Sequence, residues 1–173
     1  YWEYGSRKFG DWGAHHFGGA TFAIDVRELQ PEDIILHTED DKQWVEMKYA
    51  NGRTITHNRP GWGNMEVVGT AGRLKRDKNA AIEKLSGDKR DPKTVPLYKG
   101  TGGIYGDFVE CVKTREKPFR DMGLAINSVA LSHLATIAYN LQRSLKWDPA
   151  TQQFSDPQAN RYLDRARREP WQL

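Results

Sequence analysis

The chain has 173 residues, 38% of them hydrophobic and 11% aromatic, and 26 basic against 23 acidic side chains leave a net charge of +3. A chain of that length can bury roughly 70% of the surface it exposes when unfolded, and this aromatic content argues against disorder. No run of about 18 apolar residues is present, so no membrane insertion is expected.

Basic residues gather at Arg73–Lys93, interleaved with acids, and more densely at Arg161–Arg168. Neither stretch forms the concentrated stripe or known module of a nucleic-acid site, so no nucleic acid is expected as partner. Cys111 is the single cysteine, which excludes an internal disulfide. Its setting, FVECVKT, reads as a buried, inert thiol on an amphipathic helix. The opening segment YWEYGSRKFG resembles no signal peptide, and a first residue other than Met points either to an upstream part removed or to a deliberately shortened chain. Localisation stays open between the cytoplasm and, for a parent with a twin-arginine leader, the periplasm.

In chain order, the first predicted element is a helix over Asp11–Val26, where Trp12, His15 or His16, Ala20, Phe22 and Ala23 recur at helical spacing. Gly18 and Gly19 lower its propensity but allow close approach to a neighbour. Leu29-Gln30-Pro31 stops it. Strands follow at Asp33–His37 and Gln43–Ala50, then Asn51-Gly52 as a type I′ turn into a partner strand over Arg53–Asn58. After the Pro60–Gly63 loop, Met65–Thr70 and Gly72–Arg76 form a second hairpin around Ala71-Gly72. Residues 77–100 are polar, carry Pro92 and Pro96, and read as a long excursion with one helical turn.

Two helices come next. Tyr105–Arg115 places Tyr105, Phe108, Val109 and Val112 on one side. Asp121–Lys146 carries a stripe of Leu124, Ala125, Leu131, Leu134, Ala138, Leu141 and Leu145, with Asp121 at its start and Arg143 and Lys146 at its end as the macrodipole prefers. Trp147-Asp148-Pro149 terminates it. A tail helix over Pro157–Arg167 has Asp156 as its cap. The fold class is α+β: a mostly antiparallel sheet with helices packed on one face, its other face left for water, a second domain or another subunit.

The polar constellation that stands out is Asp11-Trp12-Gly13-Ala14-His15-His16. Asp11 and His15 are four residues apart and share one side of a helix, where a carboxylate raises the basicity of an imidazole and orients it. Such a pair can exchange a proton with a substrate hydroxyl. Gly13 leaves the helix surface open to a ligand or a neighbouring backbone. The structural alternative makes Asp11 a helix cap and the histidines packing residues. His15 and His16 diverge by about 100° on a helix, so no metal site is expected from them. His37 and His57 are too scattered to assemble, and His133 reads as a partly buried residue of the long helix. No G-x-G-x-x-G opens a βαβ unit, so no cofactor-binding residue is assigned and no dinucleotide is expected to bind this chain tightly by itself.

DWGAHH resembles the D-x-G-x-H signature that opens the catalytic helix of the second domain in Gfo/Idh/MocA oxidoreductases. EVVGTAGRL resembles that family's strand–turn–strand, GGIYGDFVECVKTREKPFRD its helix and basic turn, and SHLATIAYNLQRSLKWDPATQQFSDPQANRYLDRARREPW the C-terminal segment of a bacterial branch. The resemblance implies that residues 1–173 are a single C-terminal substrate-binding and oligomerisation domain, glyceraldehyde-3-phosphate-dehydrogenase-like, with the N-terminal Rossmann domain absent from this chain. It implies NAD or NADP in the intact parent, a sugar, polyol or glycoside hydroxyl as substrate, and a homo-oligomer built through the open sheet face. His15 would be the general acid/base and Asp11 its partner, with His16 and Trp12 binding substrate. Relatives that use transient oxidation for glycoside cleavage or epimerisation, and a non-catalytic oligomerisation module, are the alternatives. Glu116-Lys117-Pro118 spells the family's lysine motif but follows a helix of this domain and is not given that role. The position three after His15, an acid in many members, is Gly18.

Overall fold

The computed structural model describes residues 7–61, 66–70, 72–76, 82–84, 100–119, 121–164 and 169–170. The elements are α1 (Arg7–Ala23), β1 (Asp33–Glu39), β2 (Lys42–Lys48), β3 (Thr54–His57), β4 (Glu66–Gly69), β5 (Gly72–Arg76), β6 (Ile82–Lys84), α2 (Gly103–Thr114), α3 (Met122–Leu141), β7 (Leu145–Asp148), β8 (Gln153–Phe154) and α4 (Pro157–Asn160). They divide into two compact units, residues 1–61 with 126–173 and residues 62–125.

The first unit holds a five-stranded antiparallel sheet in the order β3-β2-β1-β7-β8. Ile34 stands opposite both Met47 and Leu145, Leu36 opposite Val45, and Ile55 opposite Met47. Residues paired this way share one face of a sheet. That face is buried together with Phe17 of α1 and with Leu131, Leu134, Ala135, Ile137 and Ala138 of α3. The alternate residues Ile35, His37, Trp44, Glu46, Lys48 and Lys146 are half-buried or exposed on the other face. The expected α+β layer, an open antiparallel sheet with helices on one side, is therefore present. By length and composition α3 could cross a membrane, with a mean hydropathy of 1.3 over its best 18-residue window. The core positions of its second half account for that composition.

The second unit holds an antiparallel sheet in the order β4-β5-β6, helix α2 and the first turn of α3. Asp121 stands at the start of α3 as expected, and it also caps the helix, its Oδ1 accepting from the Gly123 amide at 2.7 Å. Helix α2 buries none of its residues, and Tyr105, Phe108, Val109 and Val112, its expected apolar side, are exposed. β6 lies within the 77–100 excursion; the hairpin residue Ala71 and most of that excursion, with the helical turn expected in it, fall outside the described residues.

Several boundaries differ from expectation, and the reason is shared. Helix α1 ends in a residue pair with the Val26 amide on the Thr21 carbonyl at 2.9 Å and Asp25 left-handed at φ 53°. Helix α3 ends the same way, the Arg143 amide reaching the Ala138 carbonyl at 3.3 Å with Gln142 at φ 54°. In α2 the left-handed residue is Arg115 at φ 64°. These are glycine-type helix stops occupied by other residues, so no glycine marks them. The long helix consequently stops at Leu141, not Lys146, and Leu145–Asp148 is a strand with Leu145 and Trp147 buried on alternate positions. Arg143, expected to serve the helix dipole, instead donates through Nε to Asp156 at 2.9 Å and through Nη2 to Gln158 at 2.8 Å. Asp156 caps α4 as expected, accepting from the Gln158 amide, but that helix is one turn, Pro157–Asn160.

The turns are redistributed too. At Asn51-Gly52 only Gly52 has positive φ (79°), and the Tyr49 amide bonds the Arg53 carbonyl at 2.9 Å, so the loop is a three-residue turn closed by a left-handed glycine. The tight two-residue turn lies at Asp40-Asp41, φ 46° and 62°, between the paired Glu39 and Lys42. Type I′ turns require this of both residues and favour Asn-Gly there. Replacing Asp40 by Asn and Asp41 by Gly together is expected to raise stability by about 1 kcal/mol, the scale of left-handed strain in a non-glycine residue. The denaturant midpoint should rise at unchanged slope; a lower midpoint would show that the aspartates hold the turn themselves.

Candidate active site

Helix α1, RKFGDWGAHHFGGATFA, contains four glycines and is formed by its packing more than by its propensity. Gly13, Phe17 and Thr21 recur every four residues and are buried. Phe9 packs beside them against the core, its ring edge-on to Phe17 at 5.6 Å. Asp11, Trp12, His15 and His16 lie exposed on the outer side.

The four sequence-predicted site residues are thus brought to one surface. The Trp12 ring, 59% exposed, lies 6.1 Å from the ring of His15 and 6.2 Å from that of His16. Asp11 and His15 stand four residues apart on this outer side; among the described residues no hydrogen bond or ion pair joins them. The structural alternative loses both its supports. The helix starts at Arg7, a turn before Asp11, so Asp11 is not its cap, and neither histidine is packed inside. Gly13, between Asp11 and His15, faces inward against Ser132 of α3, so its missing side chain serves a neighbouring helix.

Beneath this surface is a histidine that sequence reasoning left unplaced. His57, at the end of β3, is ringed by Phe9 at 4.3 Å, Phe17 at 5.9 Å and Tyr139 at 6.4 Å. Its Nδ1 lies 3.5 Å from the Tyr139 hydroxyl. Burial, aided by the charge of His16, pulls its imidazole down from 6.5 to about 4. Burial also pushes the Tyr139 phenol up to about 12. Both groups are therefore neutral near pH 7, and the floor under α1 carries no charge. The available signal was the register: His57 stands opposite the buried Val45, which sends it to the helix side.

The remaining candidates separate. His37 lies on the far face, its Nε2 3.0 Å from Glu46 and its ring stacked on Trp44 at 4.9 Å. His133, expected to be partly buried, is exposed between the buried Ser132 and Leu134, because one residue of rotation turns it off the core side. Cys111 is half-buried, and burial with the carboxylates of Asp107 and Glu116 pushes its thiol up, in keeping with an inert role. Lys117, of the Glu-Lys-Pro triplet, pairs with Asp121 at 3.1 Å. Among the described residues no group of three or more His, Cys, Asp or Glu could hold a metal.

The Gfo/Idh/MocA model described as the oxidoreductase family's C-terminal alpha/beta domain matches residues 1–173, the whole chain. No curated protein and no solved structure matches.

The depressed value at His57 has a consequence for stability. Between about pH 6.5 and 4 the unfolded chain binds a proton at this residue and the folded chain does not. Stability from this group therefore falls as pH is lowered through that window. Thermal melts should show a shallower loss over that range for His57→Phe than for the unsubstituted protein. Parallel curves would mean that His57 protonates freely in the fold.

Proposed function

The chain belongs to the Gfo/Idh/MocA oxidoreductase family as its C-terminal alpha/beta domain, and from that premise we propose that it is the substrate side of an NAD- or NADP-dependent dehydrogenase acting on a sugar, polyol or glycoside hydroxyl. The observation that carries the reading is the joint exposure of Asp11, Trp12, His15 and His16 on one side of a helix whose other side is anchored in the core. A rigid element bearing exposed acid–base groups is what proton transfer to a bound substrate requires.

In this reading the neutral imidazole of His15 accepts the hydroxyl proton as the substrate carbon becomes a carbonyl, and returns it in the reverse reaction. The carboxylate of Asp11, one turn earlier on the same side, favours the imidazolium that forms. Trp12 offers an apolar ring face for the C–H side of a sugar, and His16 a donor or acceptor for a second hydroxyl. Oxidised nicotinamide supplies the hydride acceptor in the intact parent; no residue of this chain is assigned to it. The open sheet face, with Ile35, His37 and Trp44 half-buried, is the proposed contact between subunits of a homo-oligomer.

The test is turnover of the intact protein with NAD or NADP and a panel of sugars and polyols. His15→Ala should lower kcat/KM by about 10²–10⁴-fold, the usual loss of a general acid/base. Asp11→Asn should lower it by a smaller factor. Undiminished turnover by His15→Ala would leave the domain an assembly module.

A further inference from the structure

We infer that Ser132 is a positioning residue whose buried hydroxyl, set against Gly13, fixes the height of Asp11 and His15 above the core. The inference rests on the reading of Asp11 and His15 as the proton-transfer pair and adds to it the group that places them.

A Cβ built on Gly13 would come within 2.6 Å of Ser132 Oγ and 3.5 Å of the Phe17 ring. Farther along the same seam, a Cβ on Gly18 would lie 3.8 Å from Ser128 Oγ. Residue 13 meets 132 and residue 18 meets 128, so the two helices run antiparallel with their closest approach at Gly13. Ser132 is completely buried, and among the described residues its hydroxyl has no hydrogen-bond partner. A serine within a helix can return its hydroxyl to the carbonyl one turn back. Thr136 does so, donating to the Ser132 carbonyl at 2.7 Å, whereas Ser132 directs its own hydroxyl across to α1.

An unpartnered buried hydroxyl costs stability, and alanine would occupy the position without that cost. Its steric effect is specific. Leu131 and Ala135 beside it are completely buried, which holds α3 in place, and Ser132 Oγ stands in the space that a Cβ on Gly13 would take. Gly13 is two residues from both Asp11 and His15, and a shift there moves both together.

The experiment follows the imidazole ring signals of His15 and His16 by proton–carbon NMR in the full chain, with thermal midpoints, for Ser132→Ala, Gly13→Ala and the double variant. His37, on the far sheet face, is the internal reference. Ser132→Ala is expected to melt at or above the temperature of the unsubstituted protein while displacing the His15 and His16 signals and leaving His37 in place. Gly13→Ala is expected to lower the midpoint by several degrees, and the double variant to recover most of that loss. A fall of several degrees for Ser132→Ala, unmoved His15 and His16 signals in it, or no recovery in the double variant would each overturn the inference. Should Gly13→Ala fail to fold, the Ser132→Ala signals and midpoint decide alone. The readout uses no substrate, so its failure is separable from an unchanged turnover of His15→Ala, which concerns the catalytic reading alone.

Discussion

The close approach of α1 to α3 at Gly13 and Ser132 constrains the rest of the first unit. Helix α1 has glycines at positions 10, 13, 18 and 19, each costing roughly 1 kcal/mol relative to alanine in a helix. By itself such a segment has little reason to be helical. Docking supplies the reason: Phe17 and Thr21 are buried, and Phe9 packs on the core. The helix in turn aligns Asp11 with His15, because helical spacing sets residues four apart one turn from each other on the same side. The alignment of Asp11 with His15 on the outer surface is thus a product of packing on the inner one.

The same dependence explains the neutral floor beneath α1. His57 reaches the helix from the sheet edge, and Tyr139 from α3, so three elements meet around one imidazole. A cation there would lie buried between the rings of Phe9 and Phe17 and would repel His16. Burial keeps the group uncharged near neutrality. Polar ties hold the rest of the layer: Trp147 Nε1 and Gln152 Nε2 both donate to Gln30 Oε1, at 2.8 and 2.9 Å, and Gln30 Nε2 donates to Asn127. The loop after α1 is thereby fastened to the β7–β8 turn and to α3.

What the sequence made legible was whatever depended on periodicity and short-range chemistry. The alternation in Gln43–Ala50, the aspartates Asp121 and Asp156 at helix starts, and the shared side of Asp11 and His15 were all readable because each is a local rule. What stayed hidden depended on partners distant in the chain. Leu145 continues the apolar spacing of α3, and nothing nearby in sequence says that Gln142 turns left-handed and that Leu145 pairs with Ile34. Asn51-Gly52 spells a two-residue turn, yet Tyr49 pairs with Arg53 and widens the loop. Ser132 looks like an ordinary helix residue until Gly13 is set against it.

The layered arrangement also keeps the two proposed surfaces from competing. The sheet lies between them: α1 and α3 cover the face of Ile34, Val45, Met47 and Ile55, while His37, Trp44, Glu46 and Lys48 occupy the reverse. On that reverse face His37 is stacked on Trp44 and paired with Glu46, which also lies 3.8 Å from Lys48. Its polar groups are mutually engaged, so a subunit settling there would displace few unpaired charges and would gain the half-buried Ile35 and Trp44 as apolar contact. Such a contact leaves the outer side of α1 untouched. It would also stiffen the sheet on which His57 is mounted, and hence the floor beneath α1.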